Sequence, residues 1–113
     1  MGLEVTRGTI VVVAAKGAYT GKPRPALVVQ SDLFNEIHPS VTVCPITSEC
    51  VDAPMFRITL SPGKRTGLTR VSQAMVDKIV SVPRASITTE IGRCEESELG
   101  IIDEALRRWL SLD

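Results

Sequence analysis

Along most of the chain the apolar residues come in short β-branched runs separated by turn residues, and only the last stretch changes period. Residues 9–14 (TIVVVA), 26–30 (ALVVQ) and 41–46 (VTVCPI) predict strands, because β-branched side chains suit a pleated surface and crowd a helix. Between the first two runs, residues 16–25 (KGAYTGKPRP) hold two glycines and two prolines, the composition of a loop. Ser31 is placed to cap a short helical turn (SDLFNEI) that ends before His38-Pro39. Pro45 cannot donate to a ladder, so the end of the third strand is expected at an edge or a bulge.

Residues 55–60 (MFRITL) alternate, SPGK reverses the chain, 66–71 and 75–82 continue the meander, and 87–93 are available to close it. From Glu95 onward the period lengthens. Leu99, Ile102, Leu106 and Trp109 share one face of a helix running to about Leu110, and that face needs a sheet to cover. The expected class is mainly β with α: a small SH3-like β-barrel capped by a C-terminal helix.

Composition narrows the function classes. The 113 residues suit a single domain, 1–113, with one core. With 43% hydrophobic and 23% charged residues the chain is neither disordered nor membrane-like in composition. It has no apolar run of the roughly 18 residues a spanning helix needs and no secretory signal pattern, so no membrane is expected and the cytoplasm is the expected location. Cys44, Cys50 and Cys94 fit neither a disulfide framework nor a zinc-knuckle spacing, and are expected as reduced thiols. No clustered Asp, Glu, His and Cys set has ligand spacing, so neither a metal nor another cofactor is implied. The net charge of zero hides a segregation. Residues 1–89 hold ten Lys and Arg against six Asp and Glu, a net of +4, and residues 90–113 hold three against seven, a net of −4. The first part could therefore face phosphates.

Four segments carry a resemblance. The opening RGTIVVV, then GKPRPALVVQSDLFN, then CPITS, then TGLTRVSQAM follow one another as in MazF/PemK toxins, and with the closing helix the likeness spans nearly the whole chain. What the resemblance implies is the toxin of a type II toxin-antitoxin system, an endoribonuclease that cleaves single-stranded mRNA at specific sequences through the 2′-hydroxyl, without metal.

Arg24 stands between Pro23 and Pro25, whose rings stiffen the backbone from which the guanidinium projects. Its planar fork can chelate a phosphate and stabilise the charge that builds on phosphorus during attack. Thr47 and Ser48 follow Pro45 where the third strand should end, so their hydroxyls and amides could donate to a phosphate oxygen. The resemblance gives Thr47 the place beside the catalytic arginine and makes Arg70 and Gln73 candidates for holding the RNA backbone or a base edge. Lys16, Lys22, Lys64 and Arg65 fall in predicted loops and could form an electrostatic funnel for RNA.

Where some family members have a loop glutamate this chain has Tyr19, and where others have an aspartate two residues beyond the later arginine it has Ser72. Neither is a ready base, since tyrosine ionises near about 10 and a serine hydroxyl does not ionise. Tyr19 and Ser72 are accordingly expected only to assist Arg24. His38 is the single histidine, so a two-histidine ribonuclease arrangement within one chain is excluded. Two alternatives share the fold: a CcdB-type poison that binds gyrase, and a catalytically weak RNA-binding member. The gyrase poisons end in tryptophan-glycine-isoleucine, whereas here Trp109 is followed by Leu110, Ser111, Leu112 and Asp113. The family also implies a homodimer and a cognate acidic antitoxin whose segment would cover the basic groove.

Overall fold

Valine-rich runs fold here into a curled antiparallel sheet with apolar side chains on both faces. The computed structural model describes residues 4–14 and 22–113. The strands are β1 Thr9–Val13, β2 Arg24–Val28, β3 Ser40–Thr47, β4 Arg57–Leu60, β5 Ser72–Met75, β6 Val80–Pro83 and β7 Ile87–Arg93. A short helix α1, Asp32–Asn35, precedes β3, and a long one, α2, Glu96–Leu110, follows β7. The Ser31 side chain accepts a hydrogen bond from the Leu33 amide, the expected cap of α1.

The ladders run in the order β4-β5-β3-β2-β1-β7, with β6 added to β3. β3 forks the sheet: residues Ser40 to Val43 pair with β6, and Ile46 and Thr47 pair with β5. Pro45 falls in the gap between these ladders while standing opposite Ala26 of β2. It is thus at neither an edge nor a bulge, but where a missing donor interrupts neither β5 nor β6.

The barrel expected from the strand count is not closed by strands, because β4 and β7 do not pair. Segment 66–71, expected as a strand, is a turn-rich connection instead. The Thr66 hydroxyl donates to the Ser61 carbonyl (2.8 Å) and accepts from the Leu68 amide (3.3 Å), and the Gly67 amide donates to the Gly63 carbonyl (2.9 Å). These local bonds compete with a ladder and win. The connection bridges the opening through the Arg93 amide, which donates to the Arg65 carbonyl (2.8 Å). Likewise 75–82 is not one strand. The 3-10 turn Val76–Lys78 breaks it, which lets β5 and β6 pair with opposite ends of β3.

Period-2 alternation sorts the side chains into two clusters. Ile10, Leu27, Cys44, Ile46, Leu60 and Ala74 face α2, where they bury Ile102 and Ala105 with Leu99 and Leu106 beside them. Val11, Val13, Ala26, Val28, Val41, Val43 and Val82 form the cluster on the other face. Two buried faces explain why β1 and β2 read as continuous apolar runs. α2 starts in a capping box made by Glu95 and Glu98 and stops at Ser111, which adopts a left-handed conformation (φ 59°). Trp109, expected as core, is 47% exposed and packs at the rim against Phe56, ring centroids 5.7 Å apart. All three cysteines are free thiols. Cys44 and Cys94 are buried, Cys50 is exposed, and burial pushes the Cys44 thiol up to about 12.

One ion pair braces the broken strand. Arg57 donates from Nε to Asp77 Oδ1 (2.8 Å) and from Nη2 to Oδ2 (3.1 Å), both side chains being largely buried. These hydrogen bonds hold the Asp77 carboxyl below the ordinary carboxylate value. A depressed folded-state value means the stabilisation is complete above the unfolded value near about 3.9 and disappears as pH falls through the lower folded value. Asp77→Asn should therefore cost on the order of 1–2 kcal/mol at pH 7, and the gap to wild type should narrow as pH falls below the ordinary carboxylate value of about 4. Denaturant titrations across that range check this. A gap independent of pH would show that the pair's ionisation is not what braces the strand.

Candidate active site

Proline placement and strand register bring the candidate residues together. Pro23 leads an extended chain into β2, whose first residue is Arg24, and β2 pairs with β3 through Ala26 opposite Pro45. Continuing that antiparallel register by two residues sets Arg24 beside Thr47. On its other edge Thr47 stands opposite Gln73 of β5.

The ends of these strands enclose a polar recess of about 570 Å³, whose walls include Arg24, Thr47, Ser48, Glu49, Arg70 and Ser72. Pro25, Ile46 and Leu68 supply its apolar parts. A smaller cleft of about 200 Å³ adjoins it and shares Arg24, Pro25, Ile46 and Thr47. Lys22 stands at that cleft, and the rest of its lining is largely aliphatic, including Val13, Val43, Met75 and Val80. An exposed guanidinium thus stands between a polar hollow and an apolar one. Neither Arg24 nor Arg70 forms an ion pair among the described residues. With Glu49 as the one carboxylate on the wall, the recess carries an excess of positive charge suited to a phosphodiester.

The hydroxyls differ in what they can still do. Thr47 Oγ1 accepts from the Glu49 amide (3.0 Å), which leaves its own proton free to donate. Ser72 is buried and its Oγ donates to the Arg70 carbonyl (2.9 Å), so the proton that a helper in catalysis would offer is already committed. Gln73 is engaged by the fold: its Oε1 accepts from the Val51 amide (3.1 Å) and its Nε2 donates to the Val51 carbonyl (2.9 Å), so this buried side chain anchors the loop after β3.

Lys64 and Arg65 do not line the recess. Arg65 instead lies 3.8 Å from Glu95 at the start of α2. Lys16 and Tyr19 lie outside the described residues. Glu49, which also borders the recess, has no prominence in the sequence, although the signal was local: a carboxylate two residues beyond a threonine whose hydroxyl can accept a hydrogen bond from that residue's own amide.

Comparison with known proteins gives the chain its family. Residues 6–110 match the family described as PemK-like, MazF-like toxin of type II toxin-antitoxin system. The probable endoribonuclease MazF of Mycolicibacterium smegmatis is 47% identical over 106 residues, 94% of this chain and 96% of that one. Among solved structures, an endoribonuclease in complex with its cognate antitoxin from a mycobacterial species superposes with a TM-score of 0.81 at 18% identity, covering 96% of this chain and 97% of that one. The Mycobacterium tuberculosis toxin MazF-mt6 gives 0.79 at 22% identity, covering 93% and 98%. With residues 6–110 matched by the family and a relative 47% identical over nearly its whole length, this chain belongs to the PemK-like, MazF-like toxins of type II toxin-antitoxin systems.

Proposed function

We propose that this toxin acts, as a single domain, as an endoribonuclease that cuts single-stranded RNA by in-line attack of a ribose 2′-hydroxyl, without a metal ion. The observation that carries the proposal is the meeting of Arg24, Thr47 and Arg70 around one recess. Arg24 holds the scissile phosphate through its fork and stabilises the five-coordinate phosphorus, Thr47 donates its free proton to a phosphate oxygen, and Arg70 holds the backbone alongside. Ser48 and Lys22 extend the contacts on either side. Gln73 serves by fixing the loop that bears Ser48, and Ser72 by shaping the turn at Arg70.

Two copies of the chain would lengthen the groove to span several nucleotides. The partner that silences it is an antitoxin whose acidic segment occupies the recess and competes for Arg24, ordering as it binds. No described helix is long and apolar enough to cross a membrane.

The test is incubation of purified protein with mixed-sequence RNA in the presence of chelator, followed by mapping of cut sites and end chemistry. The expected result is cutting at one short motif, leaving 2′,3′-cyclic phosphate and 5′-hydroxyl ends. Activity abolished by chelator would overturn the metal-free mechanism. No cutting by folded protein that still arrests growth would point to a binding poison of the gyrase type.

A further inference from the structure

The recess that binds phosphate also needs a group to remove the attacking hydroxyl's proton, and the positions at which the resemblance sought one hold Tyr19 and Ser72. We propose that Glu49 is the general base for this cleavage, an assignment that rests on the ribonuclease reading above.

The argument is one of placement. Glu49 lines the recess together with Arg24, Thr47 and Arg70, and it is the only carboxylate among the described residues that do so. It is not carried on a loose loop. The Thr47 hydroxyl accepts the Glu49 amide (3.0 Å), the Cys50 thiol contacts the Val71 carbonyl (3.7 Å), and the Gln73 amide group grips both backbone polar groups of Val51. Three successive residues after β3 are thus tied to the strand end, to the 61–71 connection and to β5. A base needs a backbone that returns it to the same place, and this bracing fixes the backbone from which the exposed Glu49 carboxylate projects. The hydrogen bond from Glu49 to Thr47 also couples the base to the residue assigned to the phosphate, so both report one backbone turn. Glu49 itself forms no ion pair among the described residues, which leaves both carboxylate oxygens able to accept.

The step balances without a co-reactant. A carboxylate oxygen of Glu49 takes the proton of the 2′-hydroxyl as the ribose 2′-oxygen bonds to phosphorus. The bond from phosphorus to the 5′-oxygen breaks, the departing oxygen takes a proton from water, and Glu49 returns its proton to solvent. The products are a 2′,3′-cyclic phosphate and a 5′-hydroxyl. The charged groups sharing the recess are Arg24 from β2 and Arg70 from the connection before β5, with Lys22 at the adjoining cleft.

The experiment compares wild type, Glu49→Gln and Glu49→Asp on an oligonucleotide containing the mapped cut site, in single-turnover assays across pH. Binding is measured on the same oligonucleotide carrying 2′-deoxy at the cut nucleotide. Glu49→Gln should cut roughly 10²-fold slower and lose the acid-side fall of the wild-type pH profile, while binding the deoxy oligonucleotide at least as tightly as wild type. Glu49→Asp should keep that acid-side fall at a reduced rate. Wild-type rate and profile in Glu49→Gln overturn the assignment, as does a slowed variant that keeps the wild-type profile and binds poorly, because that is the behaviour of a merely structural residue. A wild type that cuts no RNA overturns the ribonuclease reading as well, and is thereby told apart from failure of Glu49 alone.

Discussion

Replacing Arg24 with alanine should slow RNA cleavage by roughly 10²–10³-fold while leaving the unfolding free energy within about 0.5 kcal/mol of wild type. The two halves of this expectation have separate causes. Arg24 is exposed at the first position of β2, and among the described residues its side chain takes no ion pair whose loss would weaken the fold. It also opens no cavity, because the apolar residues that follow, Ala26 to Val28, carry the burial of this strand. For catalysis the same side chain is the cation on the ridge between the polar recess and the apolar cleft. In the proposed mechanism, charge that develops on phosphorus is stabilised there by a group already in place, and water does this less well. Arg24→Lys should recover only part of the rate, since an ammonium keeps the charge and loses the fork. Single-turnover cleavage alongside denaturant titration reads both halves. A folded Arg24→Ala variant that cuts as wild type would remove Arg24 from the site.

A second substitution should act almost entirely through stability. Gly67→Ala is expected to lower the unfolding free energy by about 3 kcal/mol or more. Gly67 has φ +73°, a left-handed conformation that a side chain strains, and a Cβ there would press into the backbone carbonyl of Ile91 in β7. Since that obstacle is backbone, it cannot swing aside. The connection would have to leave β7, and with it Leu68, Thr69 and Arg70, which wall the recess. Loss of stability should therefore be accompanied by loss of cleavage in the fraction that stays folded. Gly100 in α2 is the internal control, because a Cβ there meets nothing within 4 Å. Gly100→Ala should be neutral or stabilising by up to about 1 kcal/mol. A downward shift of the denaturation midpoint at unchanged slope in Gly67→Ala alone is the expected pattern, and equal midpoints in the two variants would remove the close-approach argument.

The meeting of Arg24 and Thr47 at one candidate recess was legible from the chain because both sit at the ends of strands that their own composition predicts. The prolines flanking Arg24 and the CPIT stretch ending at Thr47 mark two strand ends, and antiparallel pairing does the rest. The same logic failed for groups whose role depends on what faces them. Gln73 has the formula of an RNA contact, yet its amide is consumed by Val51, 22 residues away in sequence. Arg65 looked like one more loop cation and lies instead near Glu95. Glu49 was passed over because nothing in a linear reading shows that its carboxylate borders the same hollow as Arg24.

Local chemistry by itself pointed to strands at 9–14, 26–30, 41–46 and 87–93, to the helix from Glu95 to about Leu110 and to the family likeness, since these rest on side-chain branching, hydrophobic period and short motifs; the second strand in fact starts two residues earlier, at Arg24. Only the tertiary structure decided that β4 and β7 stay unpaired, that 66–71 turns rather than extends, and that β3 forks at Pro45. The physical reason is common to all three. A ladder forms only where a partner strand reaches the backbone donors. Where Thr66, Gly67 and Pro45 met those needs locally or had none to meet, the chain was free to open the barrel and leave a recess where a closed one would have packed side chains.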